Sequence, residues 1–174
     1  MTYLQDKAPA AKTAHDSKTP QKLIDFMMTQ WRPQNRALPK PIATAAAHAK
    51  RRAALAAQFP GEALVVPTGH EVTRSNDTVY RFRPNYDFFW LTGNLEPDCV
   101  LVLKPDAQGV HRAILFVEPN PGRTSATFFT DRKKGELWVG PRLGVEQSRA
   151  RFGVDEALGL DALHALLKDL PRAR

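Results

Sequence analysis

One cysteine in 174 residues, Cys99, leaves the chain no internal disulfide and fits a reducing compartment. No run approaches the ~20 apolar residues that a membrane span requires. The first residues, Met1 to Lys22, lack the apolar stretch of a secretory leader. Together these absences give the expectation of a soluble, cytoplasmic protein. Catalytic signatures are missing as well. The five histidines, His15, His48, His70, His111 and His164, are scattered, with no His-Glu-x-x-His and no paired Cys/His spacing for zinc. There is no Gly-x-Ser-x-Gly elbow. Pro67-Thr68-Gly69-His70 lacks the Lys-Ser/Thr of a phosphate-binding loop. Cys99 opens an apolar run beside no evident base, which favours packing over nucleophilic chemistry.

What is present begins with charge. The net charge of +7 is concentrated in residues 1–52, where ten Lys/Arg face three Asp. Residues 53–174 balance 15 basic against 15 acidic side chains. The excess therefore reads as a solvated basic extension, and nucleic-acid binding through it is the weaker alternative. Residues 1–43 form that extension, with polar residues 1–20 expected to be disordered. A short amphipathic helix is expected over Gln21–Trp31, marginal unless docked on the domain or a neighbour. Pro33, Pro39 and Pro41 make an extended linker.

Residues 44–174 read as one α/β domain, a mixed sheet flanked by helices. Thr44 is placed to cap an Ala-rich helix ending near Phe59. Ala63–Pro67, Phe88–Thr92, Cys99–Leu103, Ala113–Val117 and Glu136–Val139 are expected as strands, the third and fourth joined as a hairpin through Asp106–Gly109. Apolar runs without alternation call for cover on both faces. Val145–Phe152 is expected as a helix closed by Gly153, and Asp161 as the cap of a last helix carrying Leu163, Leu166, Leu167 and Leu170.

The densest information lies in residues 71–97. Arg74, Asp77, Arg81, Arg83 and Asp87 are interleaved there with Tyr80, Phe82, Tyr86, Phe88, Phe89 and Trp90. Polar groups and aromatics so mixed belong at the border of a packed domain, where sites and interfaces are built. Arg74 and Asp77 can brace a turn, Arg83 and Asn85 can fix a loop or reach a neighbouring subunit, and at least one of Tyr86, Phe89 and Trp90 falls outside the core. In Glu136–Val139, Leu137 and Val139 would share one strand face, with Glu136 and Trp138 on the other. Read from the strand pattern alone, Trp138 is a cap on a helix–sheet seam.

Several motifs fall in one order: Val72-Thr73-Arg74-Ser75-x-Asp77, Tyr80, Arg83-x-Asn85-x-Asp87-Phe88, Leu91-Thr92-Gly93, Glu96-Pro97, Val100-Leu101-Val102-Leu103, Glu136-Leu137-Trp138-x-Gly140-x-Arg142-Leu143-Gly144 and Phe152-Gly153-Val154-Asp155. In these the chain resembles the N-terminal domain of the Xaa-Pro aminopeptidases, or aminopeptidase P, within the creatinase and prolidase group. The likeness runs over roughly residues 44–170. It implies a non-catalytic domain, truncated at its C-terminal end, that belongs to a "pita-bread" catalytic domain outside this chain. That absent domain would hold two divalent metal ions, expected to be manganese, which generate a hydroxide and polarise the scissile carbonyl. This chain itself would bind no cofactor and show no hydrolysis. It would shape a cleft for peptides with proline second, and help assemble a dimer or tetramer. The resemblance makes Asp77, Arg83, Asn85, Tyr86, Trp90, Trp138 and Arg142 the cleft or interface candidates. A stand-alone assembly module and a prolidase-like domain are the alternatives.

Overall fold

Alternation along two neighbouring strands organises the domain. In the computed structural model, which describes residues 19–32, 37–75 and 78–170, the strands β4 (Val100–Pro105) and β5 (His111–Val117) pair antiparallel, with Leu101 opposite Leu115 and Val102 opposite Ile114. Side chains two apart share a face. Leu101, Leu103, Ala113, Leu115 and Val117 accordingly enter one buried cluster, and Val102, Ile114 and Phe116 a second on the reverse side. Both faces are dry, the arrangement expected from runs without a polar alternate.

The edge strand β1 (Leu64–Pro67) adds antiparallel to β4, and β6 (Glu156–Gly159) adds parallel to β5, giving the order β1-β4-β5-β6. A parallel neighbour needs a crossover. Here it is supplied by residues 118–155, with the short helices α4 (Ala126–Thr130) and α5 (Glu136–Val139) and then α6 (Val145–Phe152). Helix α2 (Ala45–Ala56), helix α3 (Tyr86–Thr92) and α6 cover the Leu101–Leu115 face. Leu163, Leu166 and Leu170, in and just after the last helix α7 (Leu163–Lys168), cover the other. A small hairpin, β2 (Thr73–Ser75) with β3 (Thr78–Val79), stands exposed outside this sheet. The architecture is the expected mixed sheet flanked by helices.

Three local expectations are overturned. Phe88–Thr92 belongs to helix α3, where Phe88, Leu91 and Thr92 are buried at the i, i+3, i+4 spacing of one helical face. Asn85 starts it, its side-chain oxygen accepting from the Asp87 N–H at 2.8 Å. Gly93 ends it at φ 70°, and an added Cβ there would lie 2.6 Å from both His48 and Ile42. Glu136–Val139 is likewise a single helical turn between Gly135 and Gly140, so Trp138 does not share a strand face with Glu136. Asp161 caps nothing: it lies within a 3₁₀ turn, Leu160–Ala162, and Ala162 takes the N-cap position of α7. Thr44 does occupy the N-cap of α2, but its hydroxyl binds His48 Nε2 at 3.1 Å instead of a backbone N–H. That helix ends at Ala56, with turns continuing to Phe59.

The amphipathic segment ahead of the domain forms α1 (Gln21–Met27), shorter than its sequence suggests. It docks on the domain: Ile24 is buried, and Trp31 stacks on Phe129 of α4 at 6.3 Å between ring centroids. The Arg123 guanidinium lies 4.5 Å over the same Trp31 ring. Residues 37–42 then run without regular structure to Ile42, whose N–H donates to the Arg151 carbonyl. Residues 1–18, Pro33 and Asp77 lie outside the described residues, and with them the expectations made for the tail, for part of the linker and for the Arg74–Asp77 brace.

Candidate functional site

Helix α3 carries the aromatic segment along the domain border. Phe88 points inward, while Tyr86 is 82% exposed, Trp90 58% and Phe89 39%. Phe89 and Trp90 are held from α2, the first edge-on against the His48 ring. His48 Nδ1 lies 2.8 Å from the Trp90 carbonyl. A carbonyl only accepts, so that contact requires the hydrogen on Nδ1 and leaves Nε2 to accept from the Thr44 hydroxyl; Arg51 Nη1 lies 3.2 Å from the same Nδ1. Arg51 spreads its guanidinium 3.4 Å over the Trp90 ring and donates to the same carbonyl at 3.2 Å. Arg52, on the buried side of α2, donates to the Leu91 carbonyl at 2.9 Å and the Gly153 carbonyl at 2.7 Å. Burial lowers the Arg52 guanidinium from its ordinary value, and nearby Asp155 opposes that shift.

Between α2, α3 and the edge of β1 these contacts leave an open groove of about 740 Å³. Leu55, Val65 and Val66 give it apolar walls; Arg51, Asp87 and Trp90 give it charge and an aromatic surface. Asn85 lines it too, so Asn85 and Trp90 are two of the proposed site residues that the fold brings together.

A second grouping lies in the crossover. The Asn120 amide donates to Glu136 Oε1 at 2.7 Å and to the Arg142 carbonyl at 3.0 Å. Glu136 Oε1 also receives the Arg142 N–H at 2.8 Å, and the Arg142 guanidinium donates to the Lys134 carbonyl at 2.8 Å. Lys134 in turn pairs with Glu118 at 2.8 Å. Trp138 donates its indole N–H to the Phe129 carbonyl at 2.7 Å, with Arg132 5.5 Å above the ring. More than half of the Trp138 surface stays exposed, as does that of its neighbour Leu137. Arg142 and Trp138 thus knot a loop-rich crossover while offering an apolar turn outward.

Glu96, just past α3, links the two groupings. Burial raises its carboxyl above the usual range, against the opposing pull of Arg142 and a hydrogen bond from the Leu143 N–H. Cys99 lies beside it, 2% exposed, its thiol pushed up to about 12 mainly by burial. That thiol is a packing group at neutral pH. Arg83 is exposed in the loop before α3. Among the described residues no group of three or more His, Cys, Asp or Glu stands where it could hold a metal ion. No helix there is long and apolar enough to cross a membrane.

Sequence reasoning missed Arg51, Arg52 and Glu96. The two arginines were counted within a basic extension, yet both belong to α2 and one is 6% exposed. Their signal was available in their setting: the basic run Lys50-Arg51-Arg52 in mid-helix among alanines, whose successive members point in different directions about the helix.

Comparison with known proteins is consistent with this geometry. A family model described as "Aminopeptidase P, N-terminal domain" matches residues 48–174. Xaa-Pro aminopeptidase 1 of Streptomyces coelicolor is 46% identical over 115 residues, which cover 66% of this chain and 23% of that protein. Xaa-Pro aminopeptidase of Escherichia coli is 36% identical over 122 residues, 70% of this chain and 25% of that protein. The solved low-pH form of Escherichia coli aminopeptidase P superposes with a TM-score of 0.61 at 32% identity, covering 74% of this chain and 28% of that one. A zinc-substituted form in complex with product gives 0.60 at 34%, covering 75% and 27%. The chain spans about a quarter of the length of the curated relatives it matches.

Proposed function

The chain belongs to the aminopeptidase P N-terminal domain family, and on that premise we propose that it is the non-catalytic domain of an Xaa-Pro aminopeptidase. The parent enzyme releases an N-terminal residue linked to proline. That bond is a tertiary amide without an N–H, so peptidases that rely on the donor handle it poorly. The reaction's divalent metal ions, manganese by expectation, would sit in a C-terminal catalytic domain; no step is assigned to this chain's side chains. Residues 44–174 would wall the substrate cleft and join subunits, with residues 1–43 as an extension docked through α1. Arg83, Asn85, Tyr86, Trp90, Trp138 and Arg142, with Asp77, are the residues proposed to form that wall or interface.

The observation that carries this reading is the 46% identity to an Xaa-Pro aminopeptidase across the motif-bearing part of the chain. The test compares the enzyme encoded with its downstream sequence against the 174-residue chain, on a proline-second tripeptide with manganese added. Hydrolysis by the longer enzyme alone is expected; hydrolysis by the 174-residue chain, or by neither, sinks the reading. Trp138→Ala in the longer enzyme then separates the two roles of that residue. A higher KM marks a cleft wall, whereas unchanged kinetics with a lower melting temperature mark a structural cap.

Exposed Tyr80, Tyr86, Trp90 and Trp138 favour a second reading, a protein-assembly module. Light scattering decides whether the 174-residue chain self-associates.

A further inference from the structure

The groove beside β1 combines three features. The first is a free strand edge. Thr68 N–H donates to the Cys99 carbonyl, and the register places Pro67 opposite Val100 and Val65 opposite Val102. In an antiparallel ladder hydrogen-bonded pairs alternate with non-bonded ones. Val65 N–H, Val65 C=O and Pro67 C=O therefore face away from β4. Among the described residues no other strand lies on that side, and Val65 and Pro67 both line the groove.

The second feature is an oriented cation. Stacking on Trp90 fixes the plane of Arg51, and the carbonyl of Trp90 engages only one of its two terminal nitrogens. A guanidinium so held offers further donors in a planar fork that matches a carboxylate. The third is a matching anion. Asp87 lies on α3 three residues before Trp90, about 4.5 Å along the axis at 1.5 Å per residue. Arg51 and Asp87 both line the groove, yet they form no ion pair with each other within 4.0 Å.

We propose that this groove binds a free dipeptide with apolar side chains, its carboxylate on Arg51 and its ammonium on Asp87. A two-residue extended chain spans at most ~7 Å, and Asp87 precedes by three residues on α3 the Trp90 ring on which Arg51 lies. Its own backbone groups meet the edge of β1 as a short added strand. Its side chains lie against Leu55, Val65 and Val66, where a third charge would be left without a partner. The volume falls within the range of small-ligand sites. The site stands independently of the catalytic reading, because binding is measured on this chain and hydrolysis on the longer enzyme.

The test is an NMR titration of the 174-residue chain with Val-Leu, following the Val65 and Val66 amides and the Trp90 indole. Saturable shifts at these positions are expected. N-acetyl-Val-Leu and Val-Leu-amide should each bind about tenfold weaker, the loss of one charge-assisted contact. Leucine alone, too short to reach both charges, should fall by a similar factor. Arg51→Gln should weaken the free dipeptide without weakening the amide further, and Asp87→Asn should do the same relative to the acetylated form. Capped peptides or leucine binding as well as Val-Leu would overturn the assignment, as would shifts confined to other surfaces or no saturation at ~10 mM. The ligand caps leave the protein unaltered, so a misfolded variant cannot obscure the result.

Discussion

Phe88–Thr92 and Ala113–Val117 are both apolar five-residue runs, and they fold differently. All five residues of the second are buried, alternating between the two faces of the sheet. In the first, burial falls on Phe88, Leu91 and Thr92, while Phe89 and Trp90 turn outward. Apolar density reports only that a segment lies near the core. The element is set by which residues are hidden and by the ends, here an Asn85 cap and a left-handed Gly93.

Substitutions can break that contrast. Phe88→Ala should cost about 3–5 kcal/mol, the usual range for emptying a buried phenylalanine site. Phe89→Ala should cost under ~1 kcal/mol, since much of its ring already meets water. Urea unfolding measures both, and equal costs would mean that the burial pattern of α3 is misassigned.

A smaller effect sharpens the same comparison at α2, where neighbouring arginines serve opposite sides. Arg52→Met should destabilise by about 2–3 kcal/mol, because it strips two buried carbonyls of a charged donor. Arg51→Gln should stay within ~0.5 kcal/mol. If Arg52→Met is as mild as Arg51→Gln, the clamp between α3 and the end of α6 contributes nothing.

The smallest effect concerns pH. Burial raises the folded-state carboxyl of Glu96 above its ordinary 4.5, so the folded chain holds this proton more tightly than the unfolded one. Its favourable contribution is complete below the unfolded value and is lost as pH rises from there through the folded one. Glu96→Gln should flatten that part of the melting-temperature profile and leave a protein relatively more stable at neutral pH. A profile with unchanged slope in the variant would assign the pH dependence to other groups.

Much of the fold was legible in the residues. Val100–Leu103 and Ala113–Val117 announced a covered hairpin, Asp106–Gly109 its turn, and Gly153 the end of α6. The site was legible only as a region. Asn85, Tyr86 and Trp90 stood out, but not the arginine on which Trp90 rests, because Arg51 lies 39 residues away in sequence from its carbonyl partner. The Trp138 turn was misread as a strand, since four apolar-rich residues between glycines carry too short a pattern to separate period 2 from period 3.6.

The sequence by itself determined the class of fold, the apolar strands of its sheet and, through motifs in fixed order, the family. Those properties rest on local pattern and composition, which are written along the chain. Only the tertiary structure decided that the aromatic segment is a helix, that Arg52 is a buried clamp, and that Arg51, Asp87 and the edge of β1 share one groove. Those depend on which distant segments meet, and pairing across long stretches of chain leaves no periodic signal in either partner.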